Sequence, residues 1–430
     1  MMEKSVIMPK KSFGSYHVEA TNVLQHLFNV KGINDHTLHF AADFSGRLDL
    51  DRLNQAVNLA ADTFPLIRCR FNESKRRACW EDMGYTSDEM VKFVKIENAK
   101  DCIMQFLYKE MDAANGPQLN VGLIRSGKMD TLCVTMNHML CDAAGFKDFL
   151  YLLSTIYNKV GEDPQYRPKS VMSERKDGQF VKVFSIHDQF KIFFKKYDMF
   201  TYDKAKFDFT GSLSNPFIEM RTIPRGQFCQ LKAYAKSHGV TVNDVMLAAF
   251  IRVLFHLFGR VVAVPCAMDL RKYLPDHKAN GICHLVTNLI CNIGPDIGAT
   301  FDITVEKVNR AMNKEKANIG CVKNIALMEM AFRLFPYKTA RNIVEKSFSN
   351  PPIAFTNIGI LDEKRLIFGE AEMTGAYMTG SIKYNPYFQL AISTFDDEAT
   401  FSVNFYGTQS DQNKISLFCD DLARELRNAK

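Results

Sequence analysis

What most constrains the fold of this chain is a change of apolar period around residue 138. Val121 to Arg125 and Thr131 to Met136 read as two strands joined across Ser126-Gly127-Lys128, a hairpin that leads into Asn137-His138. After Gly145, the residues Phe146, Phe149, Leu150, Leu153, Ile156 and Tyr157 recur at helical spacing. His138 and Asp142 therefore stand on a strand-to-helix connection, at the lip of a sheet, where functional side chains are commonly carried. A histidine at the end of an apolar strand, with a carboxylate four residues on, suits a general base and its support. The same spacing suits a histidine held for structure, and by itself it leaves both readings open.

Strand followed by helix recurs along the chain. Leu38, Phe40, Ala42 and Phe44 alternate with His39, Ala41, Asp43 and Ser45 up to Gly46. Asp49 is placed to cap a helix carrying Leu53, Ala56, Val57, Ala60 and Phe64, which Pro65 ends, and Leu66 to Phe71 reads as a short strand. In the second half, Thr241-Val242-Asn243-Asp244 is a capping sequence for a helix from Val245 to Phe258, apolar nearly all round and hence buried. Strands are expected at Val261 to Ala267, Leu285 to Ile293 and Pro352 to Thr356, then as a hairpin of Leu390 to Phe395 with Thr400 to Phe405.

At 430 residues the chain exceeds one ordinary core of ~150 residues. Alternating strands and helices in both halves predict an α/β protein of two lobes, each a mixed sheet with helices, facing a cleft. The first lobe is expected over residues 1–165 and the second over 211–430. From Gly161 the composition turns to Gly, Pro, Ser and alternating charge, so 166–210 is expected to be the interlobe linker. Within it, Phe190 to Phe209 is basic and aromatic, a helix packing on the second lobe or a membrane-surface patch, of which the first is the simpler reading.

Composition excludes several classes of function. The 54 basic and 48 acidic residues are intermixed, with none of the basic-aromatic clustering a nucleic-acid partner requires. Eleven cysteines form no C-x-x-C pair and no zinc-ligand spacing, so no metal is expected and reduced thiols in a cytoplasm are the natural reading. No stretch approaches the ~18 to 20 apolar residues of a membrane span, and Met1 to Gly14 lacks the apolar run of a signal peptide.

The segment from Met136 to Phe146 resembles the H-x-x-x-D-G motif of the chloramphenicol-acetyltransferase and condensation-domain superfamily, which includes coenzyme A-dependent acyltransferases, condensation domains of peptide synthetases and alcohol acetyltransferases. Phe44 to Asp49 through Arg68 to Phe71 is similar to that superfamily's opening strand, helix and strand, and His238 to Val245 to its second-lobe helix entry. Asp269-Leu270-Arg271-Lys272-Tyr273-Leu274-Pro275 and Thr356-Asn357-Ile358-Gly359 follow in the expected order. The resemblance implies two similar chloramphenicol-acetyltransferase-like lobes arranged as a V around a central tunnel, with donor and acceptor entering from opposite ends.

It further implies that His138 is the base, that acyl-CoA or a phosphopantetheinyl carrier protein brings the acyl group, and that a small hydroxyl or amine compound accepts it. No permanently bound cofactor is implied. A stand-alone condensation enzyme, or an inactive binding module of the same fold, is the competing reading. A monomer is expected, because fused lobes supply internally the interface that single-lobe enzymes obtain by oligomerising. In the family the motif aspartate pairs with an arginine, and Arg68 is the expected partner of Asp142. Thr356 and Asn357 either line the tunnel or form a plain turn, and Asn288 is open in the same way.

Four departures from the family pattern stand out. Asn137 replaces the first histidine of the doubled pair. Ala143 follows Asp142 where a glycine is usual, with Gly145 two residues later, which puts a backbone oxyanion donor there in doubt. Thr63 and Arg68 stand where condensation domains have paired arginines, and the D-F-G-W-G motif of plant enzymes is absent. Cys133 and Cys141 read as small buried hydrophobes rather than nucleophiles.

Overall fold

The computed structural model describes residues 13–73, 77–169, 187, 192, 203–347 and 349–429. The expected linker lies largely outside them, as does most of the basic aromatic segment from Phe190. The strands in chain order are β1 (Gly14–His17), β2 (Thr37–Phe44), β3 (Cys69–Asn72), β4 (Cys79–Asp82), β5 (Val91–Lys95), β6 (Leu119–Ser126), β7 (Met129–Asn137), β8 (Pro216–Ile223), β9 (Val264–Asp269), β10 (Val286–Cys291), β11 (Ile353–Leu361), β12 (Met373–Thr379), β13 (Phe388–Phe395) and β14 (Glu398–Tyr406).

They form a five-stranded sheet in the order β12-β2-β7-β6-β5, a six-stranded sheet β10-β9-β11-β13-β14-β8, and a small antiparallel sheet β1-β4-β3. Both large sheets are mixed, with parallel pairing only at β5-β6 in the first and at β9-β11 and β11-β13 in the second. Each has its own apolar core. Phe40, Phe44 and Val57 pack with Phe146 and Phe149 beside the first sheet, and Phe250, Phe355, Phe388, Phe401 and Phe418 beside the second. The two-lobed α/β architecture expected from the alternation of elements is thus present.

Local chemistry places the helices where the sequence put them. Asp49 accepts a hydrogen bond from the Arg52 N–H and starts the helix Leu50–Thr63. Thr241 and Asp244 cap one another reciprocally, so the buried helix Val242–Phe258 begins a turn earlier than expected and stops at Gly259, whose φ is +66°. Leu66 to Phe71 is not one strand. Pro65 fixes a first helical φ and opens a 3₁₀ turn, Pro65–Arg68, and pairing begins only at Cys69. Thr356 to Gly359 is likewise no terminal turn, since β11 runs through it with a bulge between Asn357 and Gly359, which takes φ +85°.

One connection crosses the expected boundary. β12, from the second half of the chain, pairs antiparallel with β2 and completes the edge of the first sheet. Residues 380–383 then return between the sheets. The Asp35 N–H donates to Ile382 O and the Ile382 N–H donates to Asp35 Oδ1, while the Lys383 N–H donates to Asn404 O and Lys383 O accepts from Tyr406 N. This short segment is therefore stitched to the first lobe at 35 and to the second at 404–406.

Candidate active site

β7 delivers His138 to the space between the lobes, and the helix Ala143–Glu162 leaves from the other side of the loop. Two contacts fix the loop from below. Asn137 Nδ2 donates to Gln118 Oε1 at 2.6 Å, and Asn137 Oδ1 accepts the Met139 N–H at 2.8 Å. Asn137 thus holds the turn.

His138 Nδ1 lies 2.9 Å from the Cys141 carbonyl oxygen. A carbonyl only accepts, so Nδ1 carries the proton and Nε2 is left with its lone pair. Burial lowers the imidazole's pKa; the Cys141 carbonyl and Asp142 work against that, and the Lys383 charge adds to it. The ring is therefore neutral near pH 7, as a base must be. It stacks on His284 with centroids 5.5 Å apart and planes 29° from parallel, and Gln25 Nε2 of the helix Ala20–Val30 lies 2.9 Å from His284 Nε2.

Asp142 faces away from this lone pair. Its Oδ1 accepts the Gly145 N–H at 2.8 Å, and its Oδ2 accepts the Leu285 N–H at 2.7 Å and Arg271 Nη1 at 2.8 Å. Burial raises the carboxyl, but Arg271 and the backbone donors outweigh it and hold the pKa at about 2. The expected arginine exists, but it is not Arg68. Arg68 binds Asp82 and Asp62 within the first lobe. Arg271 reaches Asp142 from the second lobe because its 3₁₀ turn follows β9 directly, and its Nη2 also donates to Cys283 O.

Gly145 has a packing role. A Cβ there would stand 2.7 Å from Cys283 O and 2.7 Å from Cys141 Cβ, so the glycine lets the helix start press against the Cys283 backbone. Its N–H is taken by Asp142, which removes it as an oxyanion donor.

His138 lines a cavity of about 180 Å³ formed by residues of both lobes. Thr356 and Asn288 line it, with Thr287, Gln25, Ser381 and Lys383. Asn357 is not among the lining residues; it donates to Asn243 Oδ1 at 3.0 Å and accepts the Gly359 N–H, building the bulge in β11. Sequence reasoning passed over Arg271 within a motif it had quoted, and missed Gln25, His284, Ser381 and Lys383, which no local pattern marks. Cys133 and Cys141 are buried, and burial pushes the Cys133 thiol far up, as expected of small core residues. No cluster of three or more potential metal ligands occurs among the described residues. No single helix among them is long and apolar enough to cross a membrane.

No family model and no curated protein matches the chain. Solved structures do match it over nearly its whole length. The epimerization domain from the third module of tyrocidine synthetase B aligns over 97% of this chain and 96% of that one, with TM-score 0.68 and 14% identity. The first condensation domain of the calcium-dependent antibiotic synthetase, solved with a substrate analogue, gives 0.67 and 14% over 97% of both chains. Polyketide synthase associated protein 5 from Mycobacterium tuberculosis gives 0.65 and 13% over 97% and 99%. This chain has the fold that peptide-synthetase condensation and epimerization domains share.

Proposed function

We propose that this protein is an acyltransferase that moves an acyl group from a thioester to a hydroxyl or amine, with His138 Nε2 as general base. The observation that carries the reading is the fixed tautomer: Nδ1–H is held by the Cys141 carbonyl, which leaves Nε2 basic on a residue that lines a cavity between two lobes. Nε2 takes the proton of the acceptor as its oxygen or nitrogen attacks the thioester carbonyl. The tetrahedral oxyanion then collapses, the carbon–sulfur bond breaks, and the leaving thiolate receives the proton from the imidazolium. No acyl-enzyme forms, and Asp142 orients the loop without entering the proton path.

Acyl-CoA is the donor in the leading form of the proposal. A carrier-protein thioester is the second form, favoured by the end-to-end match to condensation domains. The test is free-thiol release and product mass spectrometry with acyl-CoAs, loaded carrier proteins, and mixed alcohols and amines. Folded His138→Ala is expected to lose about 10² to 10⁴ in rate. Activity that survives in this variant, or none from either donor type, would discard the base or the enzyme respectively, the latter leaving a binding module of the same fold.

A further inference from the structure

Resting on the acyl-transfer reading, we propose that the acceptor is a compact carboxylic acid, its carboxylate held by the Lys383 ammonium and the Ser381 hydroxyl while its hydroxyl or amine meets His138. Ser381 and Lys383 line the same cavity as His138, and Ile382 between them is fully buried and is not among the lining residues. Both polar residues thus border the ligand space.

The Lys383 ammonium donates one hydrogen bond among the described residues, to the neutral amide oxygen of Asn34 at 3.1 Å. No carboxylate among them comes within ion-pair distance of it. Asp35 lends its field from farther off, but Asp35 Oδ1 is committed to the Thr37 and Ile382 N–H groups, and burial raises its carboxyl to about 7. Burial in turn lowers Lys383 to about 8. Ser381 is 4% exposed, and its Oγ has no hydrogen-bond partner among the described residues. A buried cation short of a counter-ion and a buried hydroxyl short of a partner are both costly unless a ligand completes them.

Charge and size select the ligand. Lys383 is the one lysine or arginine among the lining residues, the charge of Asp142, which also lines the cavity, is matched by Arg271 at 2.8 Å, and the His138 imidazole is neutral, so the site balances a monoanion. The cavity of about 180 Å³ is close to the ~150 Å³ that accommodates benzene, room for roughly six to eight non-hydrogen atoms. A coenzyme A thioester is many times larger, so only its acyl end can reach His138, and the acceptor that meets it there must be small.

The test pairs acceptors that differ only in charge: 3-hydroxybutyrate against 3-hydroxybutyramide, and β-alanine against β-alaninamide. Transfer from a panel of acyl-CoAs is measured for the native protein, Lys383→Met and Ser381→Ala, each shown to be folded by melting. Calorimetric binding of the same four compounds to His138→Ala provides a readout independent of turnover. The native protein is expected to prefer the acids by at least about tenfold in kcat/KM, with the ratio falling close to one in Lys383→Met and part of the way in Ser381→Ala. Turnover that ignores the charge, or a preference that survives Lys383→Met, overturns the carboxylate site and leaves acyl transfer standing. Absence of turnover together with acid binding that Lys383→Met abolishes supports the site and removes the acyl-transfer reading. If neither turnover nor binding of any acid is seen, the carboxylate site falls.

Discussion

Both oxygens of the Asp142 carboxylate are committed to structure, with Arg271, Leu285 and Gly145 as donors. Asp142→Ala leaves the Arg271 guanidinium buried against Cys283 O without its main counter-charge, and should cost about 3 to 5 kcal/mol in denaturant unfolding. The acid pKa, about 2 in the folded state, lies below the ~3.9 of an unfolded aspartate, so its stabilisation is complete above pH ~4 and fades as pH falls toward 2. Asp35 has the opposite sign. Its folded value of about 7 exceeds the unfolded one, so its protonated form favours folding at low pH and the advantage is lost as pH rises through 7. Asp35→Asn keeps an oxygen for the Thr37 and Ile382 N–H groups and is expected to raise the melting temperature at pH 8 by more than at pH 5. If His138 is the base we propose, its lowered imidazole pKa places the acid limb of kcat/KM below pH ~6.5, with a plateau at neutrality. His138 and Asp142 stood out as candidates because a local spacing coincides on them with a motif that the sequence resembles. Arg271 did not, because its partner is 129 residues away and spacing along the chain carries no information about which arginine arrives.

Secondary structure was legible to the extent that caps and periods are local. Asp49 and Thr241 with Asp244 act within one turn of the helix they start, and each element they mark is present. Strand partners were not legible, because alternation says which face is buried and nothing about the neighbour. β12 at the edge of the first sheet and the sheet β1-β4-β3 are of this kind. The same holds at the bulge in β11, where Lys147 Nζ from the helix Ala143–Glu162 donates to the carbonyls of Ile358 at 2.8 Å and Ile360 at 3.2 Å. That helix is pinned at its start by Gly145. Gly145→Ala forces it off the Cys283 backbone and is expected to cost about 1 to 3 kcal/mol, together with a fall in kcat as the His138 loop shifts. Thermal melting and the acyl-transfer assay on the same preparation check both parts.

Across the whole molecule, the lobes are joined by polar contacts that a simple two-domain division does not anticipate. Asp142 with Arg271, Gln25 with His284, Lys147 with β11, and Lys31 with Glu345 all span the division between the two halves of the chain. Each lobe has its own core, yet the first sheet lacks its edge strand β12 without the second half of the chain, and Asp142 lacks Arg271. One cooperative calorimetric transition is therefore expected rather than two, and a fragment of residues 1–165 should not give the dispersed amide spectrum of a folded domain. The position of β12 carries a consequence for how the protein is made. A ribosome delivers β2 and β7 early, Arg271 more than a hundred residues later, and β12 later still. During that interval the nascent first sheet has an open edge and the loop bearing His138 has an uncompensated carboxylate, so this loop takes its final form only when synthesis is nearly over.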